Sequence, residues 1–143
     1  LRDGGQAAFS LIADMRATAA AIAAQPGDDM ATMGANLTDA IDAVEAATKW
    51  VLETGKGDLT AVASGAVNYL RMFGVTIGGY LTAKAMIAAN DLLRQPGADA
   101  RFLDGKIVTG RFYADQILPQ ARGLLKIVTD GHRAVMGLSE DQF

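Results

Sequence analysis

Cysteine is absent from the sequence, which removes disulfides, thiolate zinc sites, iron–sulfur ligation and thiol nucleophiles in one step. Charge is sparse, at 20% of residues, and 13 basic against 16 acidic side chains leave a net charge of -3. There is no cationic surplus to neutralise phosphates, so nucleic-acid binding is not expected. Strand signals are nearly missing, because no Val/Ile/Thr-rich run alternates with period two. Long apolar runs are missing too. The least polar stretch, Gly74 to Ala89, is broken by Thr76, Tyr80, Thr82 and Lys84 and falls short of the ~20 apolar residues of a membrane span. No membrane span is expected, nor is a signal peptide. The chain opens Leu1-Arg2-Asp3 without an initiator Met, which reads as a piece cut from a longer cytoplasmic polypeptide.

What the sequence does have is apolar bulk. Half of its 143 residues are hydrophobic and mean hydropathy is +0.18, which fits a single domain over 1–143 with a generous core. Alanine, the strongest helix former, dominates, and an all-α fold follows. Two of the three prolines stand in Gln25-Pro26-Gly27-Asp28-Asp29 and Gln95-Pro96-Gly97-Ala98-Asp99. Both read as Pro-Gly turns with aspartates able to cap a new helix. A third break, Glu53 to Asp58, offers a glycine for a left-handed C-cap and Asp58 for an N-cap.

Four long segments remain, each with alternating four-three spacing of small and apolar residues. Ala8, Ile12, Met15, Ala19 and Ile22 form the seam of the first, with Arg2, Asp14 and Arg16 outside it. Met30, Met33, Leu37, Ala40, Val44, Ala47 and Val51 form the second, opposite Asp39, Asp42, Glu45 and Lys49. The third, about Leu59 to Arg94 and roughly 50 Å long, carries Leu70, Gly74, Ile77, Leu81, Ala85, Ala88 and Leu92. The fourth, Ala100 to about Met136, carries Leu103, Ile107, Gly110, Ala114, Ile117, Ala121, Leu124, Val128, Gly131 and Val135. Pro119 sits inside this last helix and predicts a kink against the carbonyl of Asp115 rather than a stop. Short connections between such helices predict an antiparallel up-down-up-down four-helix bundle.

Candidate chemistry is thin. His132, the sole histidine, lacks a positioned nucleophile or orienter beyond the sequence neighbours Asp130 and Ser139, and reads as solvated or facing a helix C-terminus. No Glu-x-x-His pair is present, so a ferritin-like di-metal centre is excluded. Asp39, Asp42 and Glu45, with Lys49 four residues beyond Glu45, read as a hydrated face, and Arg111 with Asp115 reads likewise. Lys84 lies in an apolar neighbourhood, its stem along the bundle or its ammonium in an ion pair. Gly74, Gly78 and Gly79 each cost a helix ~1 kcal/mol relative to alanine, which implies close packing at that point. They lie inside a helical pattern and do not form a phosphate-binding loop. No catalytic, cofactor-binding or metal-binding residue is assigned.

The segments Tyr69-Leu70-Arg71-Met72-Phe73-Gly74, Gly79-Tyr80-Leu81-Thr82-Ala83-Lys84-Ala85 and Gly110 to Pro119, together with the ending Ser139-Glu140-Asp141-Gln142-Phe143, resemble the extra C-terminal helical domain of a subgroup of bacterial acyl-CoA dehydrogenases. That subgroup includes enzymes similar to 3-methylmercaptopropionyl-CoA dehydrogenase. The resemblance covers the whole chain, and Phe112 to Pro119 is its most specific part. It implies a parent flavoprotein of fatty acid metabolism that oxidises an acyl-CoA to its 2,3-enoyl form, with FAD taking the hydride and an electron-transfer partner reoxidising it. The family's catalytic carboxylate belongs to the dehydrogenase core, and Glu45, Glu53 and Glu140, the only glutamates, do not match its context. The resemblance further implies packing against that core or a neighbouring subunit of a homo-oligomer, or shaping the entrance for the acyl-CoA substrate of the parent. A free-standing helical interaction protein without catalysis is the competing reading of the residues.

Overall fold

The computed structural model describes residues 3–135 and 137–142, and among these the chain contains only helices, turns and short connections. Helix α1 spans Gln6–Ala23, α2 Asp28–Thr54, α3 Leu59–Leu92, α4 Ala100–Gln116 and α5 Pro119–Asp130. A single turn, α6, follows at His132–Val135, and a 3-10 turn at Glu140–Gln142. The all-α fold expected from composition is observed. Leu1, Arg2, Met136 and Phe143, which carry parts of the expected N-terminus, fourth helix and family-like ending, lie outside the described residues.

The turns follow from local chemistry. Gly27 and Gly97, the glycines of the two Pro-Gly pairs, take φ of 109° and 79°, a region that strains any residue with a Cβ. Asp58 accepts from the Ala61 N–H at 2.8 Å and Asp99 from the Phe102 N–H at 3.1 Å, so both cap helices as expected. At α2 the cap position belongs to Gly27, and Asp28 and Asp29 lie in the first turn. Gly55, the expected left-handed cap, has φ of -65°: the chain leaves α2 through a right-handed turn instead.

Contacts between residues far apart in sequence fix how the helices pack. Ala23 lies against Gly34 and Leu52 against Gly5; Thr48 meets Tyr69; Leu118 lies against Gly79 and Val128 against Gly65. The arrangement nevertheless departs from a closed ring of four helices. Both α2 and α3 contact every other long helix, whereas α1 contacts neither α4 nor α5 among the described residues. Thus α2 and α3 cross the centre, with α1 on one side and α4–α5 on the other. Small residues permit this, since Ala40, Ala43 and Ala47 of α2 and Gly65, Gly79 and Ala83 of α3 are buried.

The seams of α1 and α2 are buried as their spacing predicts: Ile12, Met15, Ala19 and Ile22, then Met30, Met33, Leu37, Ala40, Val44 and Ala47. The seam of α3 is not. Its buried residues are Ala61, Gly65, Met72, Thr76, Gly79, Ala83, Met86 and Ala89, whereas Leu70, Gly74, Leu81, Ala85, Ala88 and Leu92 of the expected stripe are exposed. The helix is apolar on several sides, so spacing alone does not choose a face. Thr76 is tolerated inside because its hydroxyl donates to the Met72 carbonyl at 2.9 Å.

The fourth segment kinks at residues 117–118. Pro119 has no N–H for Asp115, and the Tyr113 carbonyl instead accepts from both Ile117 and Leu118, at 3.0 and 3.1 Å. Gln120 and Ala121 then bond three residues back, to Ile117 and Leu118. This local rewinding turns Leu118 into the core, where it is 1% exposed, and leaves Ile117, the expected seam residue, half-buried. Beyond Asp130 the helix breaks again at Gly131, and Val135 is exposed.

Candidate functional site

The charged side chains singled out on α2 and α4 have structural partners. On the α1–α2 side, the Arg16 guanidinium donates to Asp42 at 2.7 Å and Glu45 at 2.5 Å, and Lys49 pairs with Glu45 at 2.6 Å. The Lys49 ammonium, and then Arg16, hold the Glu45 carboxyl below the usual carboxylate range, and Glu45 in turn raises the Arg16 guanidinium. Lys49 is the partner expected from spacing, and Arg16 is added by the fold. On the opposite side Arg111 contacts Asp115 at 2.7 Å, as its spacing predicts. It also contacts Asp28 at 2.7 Å and Asp29 at 2.9 Å, and these carboxylates raise its pKa, Asp28 foremost. Arg122 pairs with Asp39. Asn36 donates to the Ala114 carbonyl at 2.9 Å. Apart from Arg111–Asp115, the contacts on this side join residues 78 or more positions apart, and no local spacing reveals them.

His132 departs from the solvated position expected of it. Its ring is half-buried, 5.8 Å from Trp50 and tilted at 38°. Its Nδ1 is buried without a hydrogen-bond partner among the described residues. Neither Asp130 nor Ser139 orients it; the Ser139 hydroxyl binds Asp141 and Gln142. Lys84 stays exposed, its Nζ 2.9 Å from the Tyr80 hydroxyl and 4.7 Å from that ring's centre. This favours the stem-along-the-helix reading with a cation–π contact over an ion pair.

Two of the three clustered glycines have the packing role their cost implies. A Cβ at Gly78 would overlap the Tyr113 hydroxyl and one at Gly79 would overlap Leu118. Tyr113 uses the space to donate to the Val75 carbonyl at 2.9 Å, and burial raises its phenol pKa. Gly74 meets nothing within 4 Å and points outward. The cluster therefore presents packed α3 backbone to α4. No free N–H groups at a helix start are available there, so this glycine cluster offers no cradle for a diphosphate.

The cavities are surface depressions. One, about 440 Å³, is lined by Arg101, Phe102, Gly105, Lys106 and Thr109. Another, about 370 Å³, runs from Leu92 through the Pro96-Gly97 turn to Phe102. A third, about 250 Å³, lies beside Thr48 and Tyr69, whose hydroxyls are 2.8 Å apart; burial raises the Tyr69 phenol. No group of three or more carboxylates and histidines positioned to hold a metal occurs among the described residues.

The outstanding surface is the outward side of α3. Val67 is 78% exposed, Leu70 73%, Leu81 57% and Leu92 44%, and the depression from Leu92 to Phe102 continues this face onto α4. By length and composition α3 is the one helix among the described residues long and apolar enough to cross a membrane, although its other side packs against the remaining helices. The outward face of α3 thus offers contact area.

No curated protein matches the chain. Residues 11–139 match the acetyl-CoA dehydrogenase C-terminal-like family. That match takes in α1 from its first buried residue, the whole of α2 to α6 and the core they share, and the chain belongs to that family.

Proposed function

We propose that this chain is the helical C-terminal appendage of an FAD-dependent acyl-CoA dehydrogenase, in which it supplies packing surface and no reacting group. The family match over residues 11–139 carries this reading. The parent would oxidise an acyl-CoA to the 2,3-enoyl-CoA, with its flavin and catalytic carboxylate in a core outside these residues. The subgroup similar to 3-methylmercaptopropionyl-CoA dehydrogenase, in bacterial cytoplasm and fatty acid metabolism, is the finer placement suggested by Phe112 to Pro119. We read the packing as an antiparallel four-helix bundle opened between α1 and α4, rigid enough to present α3 to the core or to a neighbouring subunit.

The coding sequence upstream of Leu1 tests the reading most directly. A flavin-binding dehydrogenase core there supports it, and an unrelated or absent upstream domain overturns it in favour of a free-standing helical interaction protein, which the same exposed α3 face would suit. The purified 143-residue chain is expected to be colourless and inert toward acyl-CoA with an artificial electron acceptor. Stoichiometric bound flavin would contradict the assignment.

A further inference from the structure

We propose that the outward face of α3 is a self-complementary contact on which a second copy of this chain docks, α3 against α3, antiparallel about a two-fold axis at Leu81. The spacing of Leu70, Gly74, Ile77, Leu81, Ala85, Ala88 and Leu92 is symmetric about Leu81, although the residues themselves match only at Leu70 and Leu92. In an isologous pair each residue i meets j while j meets i. Antiparallel pairing at this register sets Leu81 on Leu81 of the second copy, Ile77 on Ala85, Gly74 on Ala88 and Leu70 on Leu92. Leucine meets leucine at the centre and at both ends, Ile77 meets an alanine, Gly74 meets an alanine, and every stripe residue meets another stripe residue.

Three further observations favour a second copy. First, the stripe carries no charge: the charged residues of α3 are Arg71, Lys84 and Asp91, and none belongs to it, so two copies bring no like charges together. Second, Gly74 faces open space with nothing within 4 Å. Together with exposed Ala85 and Ala88 it lets two helix backbones approach closely, which gives this glycine the packing role it lacks inside the monomer. Third, the area is adequate. The exposed parts of Val67, Leu70, Leu81, Leu92 and Phe102, with the small residues between them, present on the order of 500–600 Å² per copy, or twice that for the pair, near the size a specific interface must clear. The face lies at the upper end of the largest apolar patches found on ordinary monomers, about 300–600 Å², which often mark interaction sites.

The pairing is a property of this surface and does not depend on the dehydrogenase reading, so the 143-residue chain itself is the test object. Sedimentation equilibrium from low to high micromolar concentration should give twice the monomer mass. Leu81→Glu, which places two carboxylates on the axis, should return the monomer mass with unchanged helical circular dichroism. Leu81→Ser checks the same point without charge and should weaken the dimer. Because the chain has no cysteine, register can be read directly. Leu81→Cys should oxidise to a cross-linked dimer, and a mixture of Gly74→Cys and Ala88→Cys chains should cross-link to each other in preference to themselves. A chain that stays monomeric throughout overturns the proposal, whether or not it floats with phosphatidylcholine–phosphatidylglycerol vesicles, where flotation would assign the face to a membrane surface. A dimer that survives Leu81→Glu, or that cross-links at other positions and not at Leu81, also overturns it. These outcomes are independent of what lies upstream of Leu1.

Discussion

Helices α2 and α3 are the two longest and both cross the centre of the molecule, yet they are held in rotation by different forces. Asp39, Asp42, Glu45 and Lys49 line one side of α2, where Arg122, Arg16 and Glu45 meet them. Turning that side inward would bury charge, which costs far more than exposing a leucine. Only Arg71, Lys84 and Asp91 are charged in the 34 residues of α3. Its rotation is set instead by size: Gly65 and Gly79 turn inward because Val128 of α5 and Leu118 come too close for larger side chains. Charge orients one helix and steric fit the other, and the second leaves leucines in water.

The contrast is broken most sharply by cutting into the buried side of α3. Met72 and Leu70 stand two residues apart, one fully buried and the other 73% exposed. Met72→Ala should cost about 2–5 kcal/mol in chemical denaturation, as a cavity-forming core substitution does, and Leu70→Ala less than about 0.5 kcal/mol in the monomer. Equal losses would mean that α3 is rotated differently in solution.

The glycines sharpen the same contrast at somewhat smaller cost. Gly78→Leu drives a side chain into Tyr113, and Gly79→Leu into Leu118. Each should lower stability by about 1–3 kcal/mol through overpacking. Gly74→Ala meets open space and replaces a poor helix former, so it should raise monomer stability by about 1 kcal/mol. A denaturation midpoint for Gly78→Leu equal to that of the parent would mean that Tyr113 swings away without loss.

The same physics explains what could be read in advance. The Pro-Gly turns, the Asp58 and Asp99 caps, the seams of α1 and α2 and the kink at Pro119 all rest on interactions within a few residues, and each was legible. For α3, four-three spacing picked out Leu70, Leu81 and Leu92, a genuine stripe, but could not say that it faces outward, because the deciding atoms belong to Leu118, Tyr113 and Val128 on distant helices. The Arg111 cluster and the Trp50–His132 contact were missed for the same reason. The absence of a catalytic assignment came from sequence; Gly78 and Gly79 were correctly read as packing positions, whereas Gly74 was not.

A smaller effect tests the polar seam between α2 and α3. Thr48 is buried, bonded to the Val44 carbonyl at 2.8 Å and to the Tyr69 hydroxyl at 2.8 Å. Tyr69→Phe removes one hydroxyl and leaves Thr48 its backbone partner, so a loss of about 1 kcal/mol is expected. Thr48→Val in addition should then cost little more, because the hydroxyl it removes no longer has its cross-helix partner. Additive losses in this double-mutant cycle would show that the two groups do not interact.

The smallest effect concerns the charges that orient α2. Glu45 is a quarter exposed, with 24% of its side-chain surface accessible, and its carboxyl is held below the ordinary value of 4.5 by Lys49 and then Arg16. A carboxyl depressed in the folded state contributes stability that is complete above its unfolded pKa and disappears as pH falls through the folded one. Glu45→Gln should therefore lower stability at neutral pH by about 0.5–1 kcal/mol, the scale of partly exposed ion pairs. The gap between parent and variant should begin to close as pH drops below about 4.5 and should be gone once the folded carboxyl is protonated, with high salt shrinking it at neutral pH. A gap independent of both pH and salt would show that Glu45 acts through packing of its stem. The orientation of α2 would then rest, like that of α3, on steric fit.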